Sequence, residues 1–283
     1  MRIDAHHHVW DLGVRDQPWT AGLPTLRRSF GLAELRPDLA ARGIDRTVLV
    51  QTLAVAEETP EFLALAAGEG ADVVAGVVGW VELTARDVAD RLARLREGPG
   101  GERLVGIRHL VPSEPDPRWF ARPDVQRGVA AVGAAGLAYD VLVRPAQLPA
   151  AFETVHTQPD VRFVLDHVAK PPIATGELEP WRSDLRRLAA APNVAVKLSG
   201  MVTEADVERW TVADLRPYAD VVLDAFGPER TMFGSDWPVC LLAADYGTVM
   251  AAAEELTSHL TEPERAAVFG GTVAAWYQLP VGG

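Results

Sequence analysis

The 283-residue chain carries 27 Lys and Arg against 39 Asp and Glu, a formal charge of −12, with no basic cluster beyond Arg27-Arg28 and Arg186-Arg187. That balance speaks against nucleic acid and anionic membrane as partners. Cys240 is the one cysteine, which rules out an intramolecular disulfide and suits a reducing cytoplasm; no basic-then-apolar leader opens the sequence, and no apolar run reaches the ~18 residues of a membrane span.

Eight short β-rich runs follow one another along the chain, at residues 3–9, 47–51, 73–81, 104–110, 137–143, 161–168, 194–199 and 231–237. Most precede a loop and a helical pattern, and alternating strand and helix is the mark of a parallel sheet built from βα units. Eight such units predict an α/β fold, a (β/α)8 TIM barrel, as a single domain over residues 1–283; α/β barrels of this length commonly form one domain. Thr84 with Asp87, and Thr261 with Glu264, have the spacing of capping boxes that open helices. The periodic stretches 88–95 and 185–190 are read as outer helices. Residues 11–31, with Pro18, Trp19, Gly22, Pro24 and Gly31, form the longest irregular segment and are expected to cover the catalytic end of the barrel. Whether the chain forms a homo-oligomer stays open at this point.

Four residues far apart in sequence fall at strand ends: His6 and His8 in Asp4-Ala5-His6-His7-His8, His167 in Leu165-Asp166-His167, and Asp236 in Gly234-Ser235-Asp236-Trp237-Pro238. Side chains alternate faces along a strand, so His6 and His8 share a face and His7 takes the other. By the same rule His167 is set inward with Phe163 and Leu165, and Asp166 outward as a structural partner. Gly234, on the face of Asp236, is expected to leave room for water or an ion. Three imidazoles and a carboxylate can hold zinc or steer a water; the alternative is that some are ordinary hydrogen-bonded barrel residues.

The runs Ile3-Asp4-Ala5-His6-His7-His8-Val9-Trp10, Val78-Gly79-Trp80-Val81, Gly106-Ile107-Arg108-His109, Leu165-Asp166-His167-Val168-Ala169-Lys170-Pro171, Val196-Lys197-Leu198-Ser199-Gly200 and Gly234-Ser235-Asp236-Trp237-Pro238, in this order, resemble the amidohydrolase superfamily. More narrowly they are similar to its amidohydrolase-2 branch, which contains sugar-acid lactonases of the L-fuconolactonase and L-rhamnonolactonase type. The resemblance implies lactone hydrolysis, with His6, His8 and His167 as metal ligands or carbonyl-polarising groups and Asp236 as general base. Many metal-dependent members add a histidine or carboxylated lysine on a middle strand. Here strand five offers only Asp140 and strand four Arg108 and His109, so at most one divalent ion is expected, zinc by its donors, held by His6, His8, His167 and Asp236. Lactones are reactive enough that imidazoles without a metal also suffice chemically. Thr272 stands where the family usually has Asn, and is expected to bear on a helix terminus.

Candidate substrate contacts are Arg108, His109, Gln51, Lys170, Trp19, Trp80 and Trp237, with Trp10 beside them. Plainer alternatives are a salt bridge for Arg108, and for Lys197 where the functional reading is orienting Asp236 or touching substrate, solvent for Lys170, and packing for each tryptophan. The shortage of Arg and Lys at strand ends favours a neutral, polyhydroxylated sugar lactone over a dicarboxylated one. Rival readings are a metal-dependent decarboxylase, an amide or other lactone hydrolase on the same barrel, and a barrel that binds a sugar acid without turnover. No G-x-S-x-G elbow, phosphate loop or dinucleotide fingerprint occurs.

Overall fold

The structure, a computed structural model, describes residues 1–279. Its strands are β1 (Ile3–His7), β2 (Arg46–Val50), β3 (Val74–Gly79), β4 (Leu104–Leu110), β5 (Ala138–Leu142), β6 (Phe163–Leu165), β7 (Val194–Leu198) and β8 (Thr231–Phe233). They pair in parallel in sequence order. Just past β8 the chain closes on β1, where His8 donates its backbone N–H to Trp237 O at 2.7 Å and Asp236 donates to His6 O at 2.8 Å. The expected (β/α)8 barrel is the fold.

Helices α1 (Leu32–Arg42), α2 (Glu58–Ala67), α3 (Val88–Glu97), α4 (Pro123–Ala134), α5 (Leu148–Thr157), α6 (Trp181–Ala189), α7 (Val212–Phe226) and α8 (Tyr246–Leu256) pack outside; short α9 (Glu262–Ala266) and α10 (Thr272–Trp276) follow. Thr261 and Glu264 form the expected box at the start of α9. The box expected at Thr84 does not form: its hydroxyl bonds Glu82 instead, and Asp87 stands at the head of α3. Thr272 opens α10 and donates its hydroxyl to Pro228 O at 3.0 Å, so it does sit at a helix end. No helix among the described residues is long and apolar enough to cross a membrane.

Two apolar layers result. Phe163, Leu165, Leu49 and Tyr139 point out to the helices, whereas Ile3, Ala5, Val48, Val50, Ala138, Val164, Ala195 and Met232 fill the interior and meet Val273, Ala274, Tyr277 and Leu279 from the C-terminal helix and the residues after it. Burying each of the larger side chains among them contributes about 1.5–3 kcal/mol. The segment after β1 is tied at its base, Trp10 and Phe30 exchanging two backbone hydrogen bonds of 2.9 and 2.8 Å. Between those residues it forms two short 3-10 turns, Pro18–Thr20 and Pro24–Leu26.

Candidate active site

Ile3 and Ala5 face the barrel interior, so simple alternation would send His6 and His8 outward. A register shift in the β1–β2 pairing between Asp4 and His7 changes the phase, as a bulge does. His6 and His8 therefore enter the interior, while His7 turns out to Thr47, Nε2 to Oγ1 2.9 Å. Burial drives the His7 pKa down to about 3.

Strand six corrects the expected alternation. Phe163 and Leu165 lie on the helix side and Val164 inside, so Asp166 continues inward, the reverse of its expected direction. His167 reaches the interior by another route: the chain leaves the strand through a left-handed turn, with φ of 50° at His167, 47° at Val168, 61° at Ala169 and 52° at Lys170. Such backbone costs roughly 1–2 kcal/mol per non-glycine residue, a cost that tends to concentrate at functional sites. Gly200 makes room for this ring, since a Cβ there would lie 2.7 Å from His167 Nδ1. Ser199 Oγ holds the same nitrogen at 2.9 Å.

Asp236 also has a left-handed backbone, φ 58°, a region aspartate tolerates better than most residues. Beneath it Gly234 serves His6 and not a free ion: a Cβ there would lie 2.8 Å from His6 Cβ and 3.2 Å from Ser199 Cβ. The bend is anchored from β1 as well, because Asp4 Oδ1 accepts the Ser235 N–H at 2.9 Å and Oδ2 the Tyr246 hydroxyl at 3.2 Å.

These turns gather four donors. Asp236 Oδ1 stands 3.4 Å from His8 Nε2, 3.7 Å from His6 Nε2 and 3.8 Å from His167 Nε2. His6 Nε2 and His8 Nε2 are 3.1 Å apart, and the four residues are at most 5% exposed. His8 Nδ1 lies 2.8 Å from Val50 O. A carbonyl only accepts, so Nδ1 carries the hydrogen and a neutral His8 turns its Nε2 lone pair toward the carboxylate. Burial lowers His167 to about pKa 4 and, together with Lys197, lowers His6 well below its usual value. Burial alone would raise the Asp236 carboxyl; the neighbouring imidazoles, His167 first, outweigh it and hold the group low.

Below the centre lies a fully buried chain of charge. Arg108 Nη1 pairs with Asp166 Oδ2 at 3.0 Å; Lys197 Nζ lies 2.5 Å from Asp140 Oδ2, 3.0 Å from Asp166 Oδ1 and 3.1 Å from His6 Nδ1. The Tyr277 hydroxyl donates to Asp140 at 2.7 Å, which ties the network to the C-terminal end of the described chain. Burial pushes Asp140 up to about 6 even beside Lys197. For Asp166 burial acts the same way, but Lys197, His6 and Arg108 outweigh it and hold that carboxyl well down.

The remaining candidates separate by environment. Gln51 is buried and its amide oxygen accepts from Arg108 at 3.0 and 2.9 Å. Trp237 is 1% exposed and packs on Phe30, and Trp10 is 5% exposed with its N–H on Arg28 O; neither offers an open face. Lys170 is half-buried and paired with Glu204 at 2.7 Å. Trp80 donates its indole N–H to His109 Nδ1 at 3.0 Å, so this nitrogen is an acceptor and Nε2–H donates to Glu114 at 2.7 Å. Trp119 stacks on the His109 ring at 4.1 Å. Trp19 alone of the four named tryptophans is well exposed, at 39%.

Sequence reading missed the inward Asp166, the Asp140–Lys197–Tyr277 chain, and Ser199, Glu114 and Trp119. Setting the phase of strand six on the apolar Val164 would have turned Asp166 inward. Two residues past Ala195, on the same face, Lys197 was open to the same logic.

The residues fit a divalent cation. His6, His167 and Asp236 offer ligand atoms all within 4.8 Å of one another, and His8 Nε2 stands beside two of them, 3.1 Å from His6 Nε2 and 3.4 Å from Asp236 Oδ1. The lone pair of His8 faces a carboxylate oxygen at 3.4 Å, a contact between two acceptors that a cation relieves. Nitrogen and oxygen donors in this number suit zinc. The three imidazoles and the carboxylate lie at the C-terminal ends of the strands of a (β/α)8 barrel, the face at which enzymes of this fold keep their active sites. Residues 3–279 match the amidohydrolase family, and the chain belongs to it. It is similar to an L-fucono-1,5-lactonase of Burkholderia multivorans, 44% identical over 99% of this chain and 97% of that protein, and to an L-fucono-1,5-lactonase of Burkholderia ambifaria, 40% identical over 98% and 96%. A crystal structure of an amidohydrolase from Burkholderia multivorans with bound zinc superposes with a TM-score of 0.92 at 43% identity, covering 99% of this chain and 100% of that one.

Proposed function

We propose that this protein opens a sugar-acid lactone to its aldonate, and that His6, His8, His167 and Asp236 are its catalytic centre and would hold one zinc ion. One observation carries the reading: three imidazoles, His6 and His8 at the end of β1 and His167 in the turn after β6, converge within 3.8 Å on Oδ1 of Asp236 in the turn after β8. The full-length similarity to L-fucono-1,5-lactonases supports the lactone class.

The chemistry follows from that arrangement. The Asp236 carboxylate takes a proton from water as the water oxygen bonds the ring carbonyl carbon. The oxyanion develops at the centre that the imidazoles line, where an ion held by their lone pairs would meet its charge. Collapse of the tetrahedral species breaks the bond to the ring oxygen, and protonated Asp236 returns its proton to that oxygen, so one carboxylate is base and then acid. A bound divalent ion would add Lewis-acid polarisation and ease the water's deprotonation.

Charge pairing favours a neutral lactone. Of the cations nearest the site, Arg108 is paired with Asp166, Lys197 with Asp140 and Asp166, and Lys170 with Glu204. A substrate bearing two carboxylates finds none of the three unpaired. The exposed ring of Trp19 and the His109–Glu114 pair are the groups assigned to the sugar: one stacks, the other meets hydroxyls. A pH-indicator assay over a panel of lactones tests this. L-Fucono- and L-rhamnonolactones are expected to give the highest kcat/KM; a higher value for a pyrone dicarboxylate or muconolactone contradicts the preference, and no turnover of any lactone contradicts the function.

A further inference from the structure

Asp166 Oδ1 is fully buried, and among the described residues no contact to it has hydrogen-bond geometry, a rare state for a buried polar atom. Its sister Oδ2 is held by Arg108. Around Oδ1 stand Lys197 Nζ at 3.0 Å, at an angle that makes no hydrogen bond, and His6 Nδ1 at 3.4 Å. Lys197 itself lies 3.1 Å from that His6 nitrogen. Two opposed groups thus compete for His6 Nδ1: an ammonium that only donates and a carboxylate that only accepts.

The outcome decides what the other ring nitrogen can do. A neutral imidazole that accepts from Lys197 at Nδ1 keeps its hydrogen on Nε2 and cannot ligate through it. One that donates Nδ1–H to Asp166 presents its Nε2 lone pair to the centre. At Nε2 the neighbours are His8 Nε2 at 3.1 Å, Arg108 Nη1 at 3.3 Å and Asp236 Oδ1 at 3.7 Å. We infer that Asp166 is a positioning residue whose Oδ1 holds His6 in the ligating Nδ1–H form, and that Lys197 opposes it by stabilising the other tautomer. This rests on the zinc centre proposed above, and assigns Oδ1 a task beyond its ion pair with Lys197.

The test measures zinc affinity on the full chain by competition with a chromophoric chelator. Asp166→Asn is expected to weaken it by about tenfold to a hundredfold, the usual size for losing the partner of a ligating histidine. Lys197→Met is expected to leave affinity level or raise it. In zinc-loaded wild-type protein with 15N-labelled histidine, the His6 ring, assigned by its loss in His6→Asn, should carry its hydrogen on Nδ1. An equal fall of affinity in both variants, or a loaded His6 without that hydrogen, overturns the inference, and the wild-type spectrum decides even if Lys197→Met fails to fold. A wild-type protein that binds no zinc overturns the metal centre itself, and this inference with it.

Discussion

The two halves of the barrel interior are built from opposite materials. Toward the N-terminal ends of the strands Ile3, Ala5, Val48, Ala138, Val164, Ala195 and Met232 pack with Tyr277 and Leu279 in a dry apolar layer. One turn of side chains higher the same inward positions carry Asp140, Asp166, Lys197, Arg108 and the imidazoles, all at most 5% exposed. The lower layer gains stability from burial alone, whereas the upper layer gives up hydration that its pairings must replace. The apolar core and the proposed catalytic centre therefore share strands but not layers. Tyr277 joins them, its ring in the apolar layer and its hydroxyl on Asp140.

The largest expected effect comes from breaking the upper layer on one side only. Lys197→Met leaves Asp140 and Asp166 without their ammonium and should destabilise the fold by about 3–5 kcal/mol, read from denaturant unfolding. Adding Asp140→Leu should recover much of that loss, because a buried pair replaced by apolar groups is often neutral. If the double variant is less stable than Lys197→Met, the upper layer is itself a source of stability and the contrast between layers fails.

In the lower layer Met232→Ala should cost about 2–5 kcal/mol through the cavity it leaves. The kcat/KM of the folded protein should hold at its wild-type value. A large fall in kcat/KM with stability intact would mean that the two layers are not separable.

The smallest effect belongs to the rim. Trp19→Ala removes an exposed ring and should raise KM by several fold, on the scale of roughly 0.5–1.5 kcal/mol for aromatic contacts. Melting temperature and kcat should stay close to wild type. An unchanged KM would remove Trp19 from the substrate contacts.

What the sequence revealed follows the same division. Period-two apolar runs and their spacing made all eight strands legible, and the H-x-H pattern and Gly-Ser-Asp located donors that the structure brings together. Directions of side chains past the strand ends were not legible. His167 enters through a left-handed turn, and extending regular alternation to it reversed Asp166. The chain around Lys197 was hidden for another reason: its partner Asp140 lies 57 residues away and the Tyr277 that bonds Asp140 is later still, and only barrel closure sets them side by side. Aromatic character at strand ends likewise failed to separate the buried Trp237 from the exposed Trp19, since packing and stacking call for the same residue type.

The central claim is that the centre around Asp236 performs the chemistry. Its most direct test is the turnover of L-fucono-1,5-lactone by Asp236→Asn, with fold checked by circular dichroism and thermal unfolding. The amide keeps the shape but cannot take the proton, so kcat should fall by on the order of a hundredfold or more in a protein that melts as the wild type does. Near-wild-type turnover by that folded variant would contradict the account.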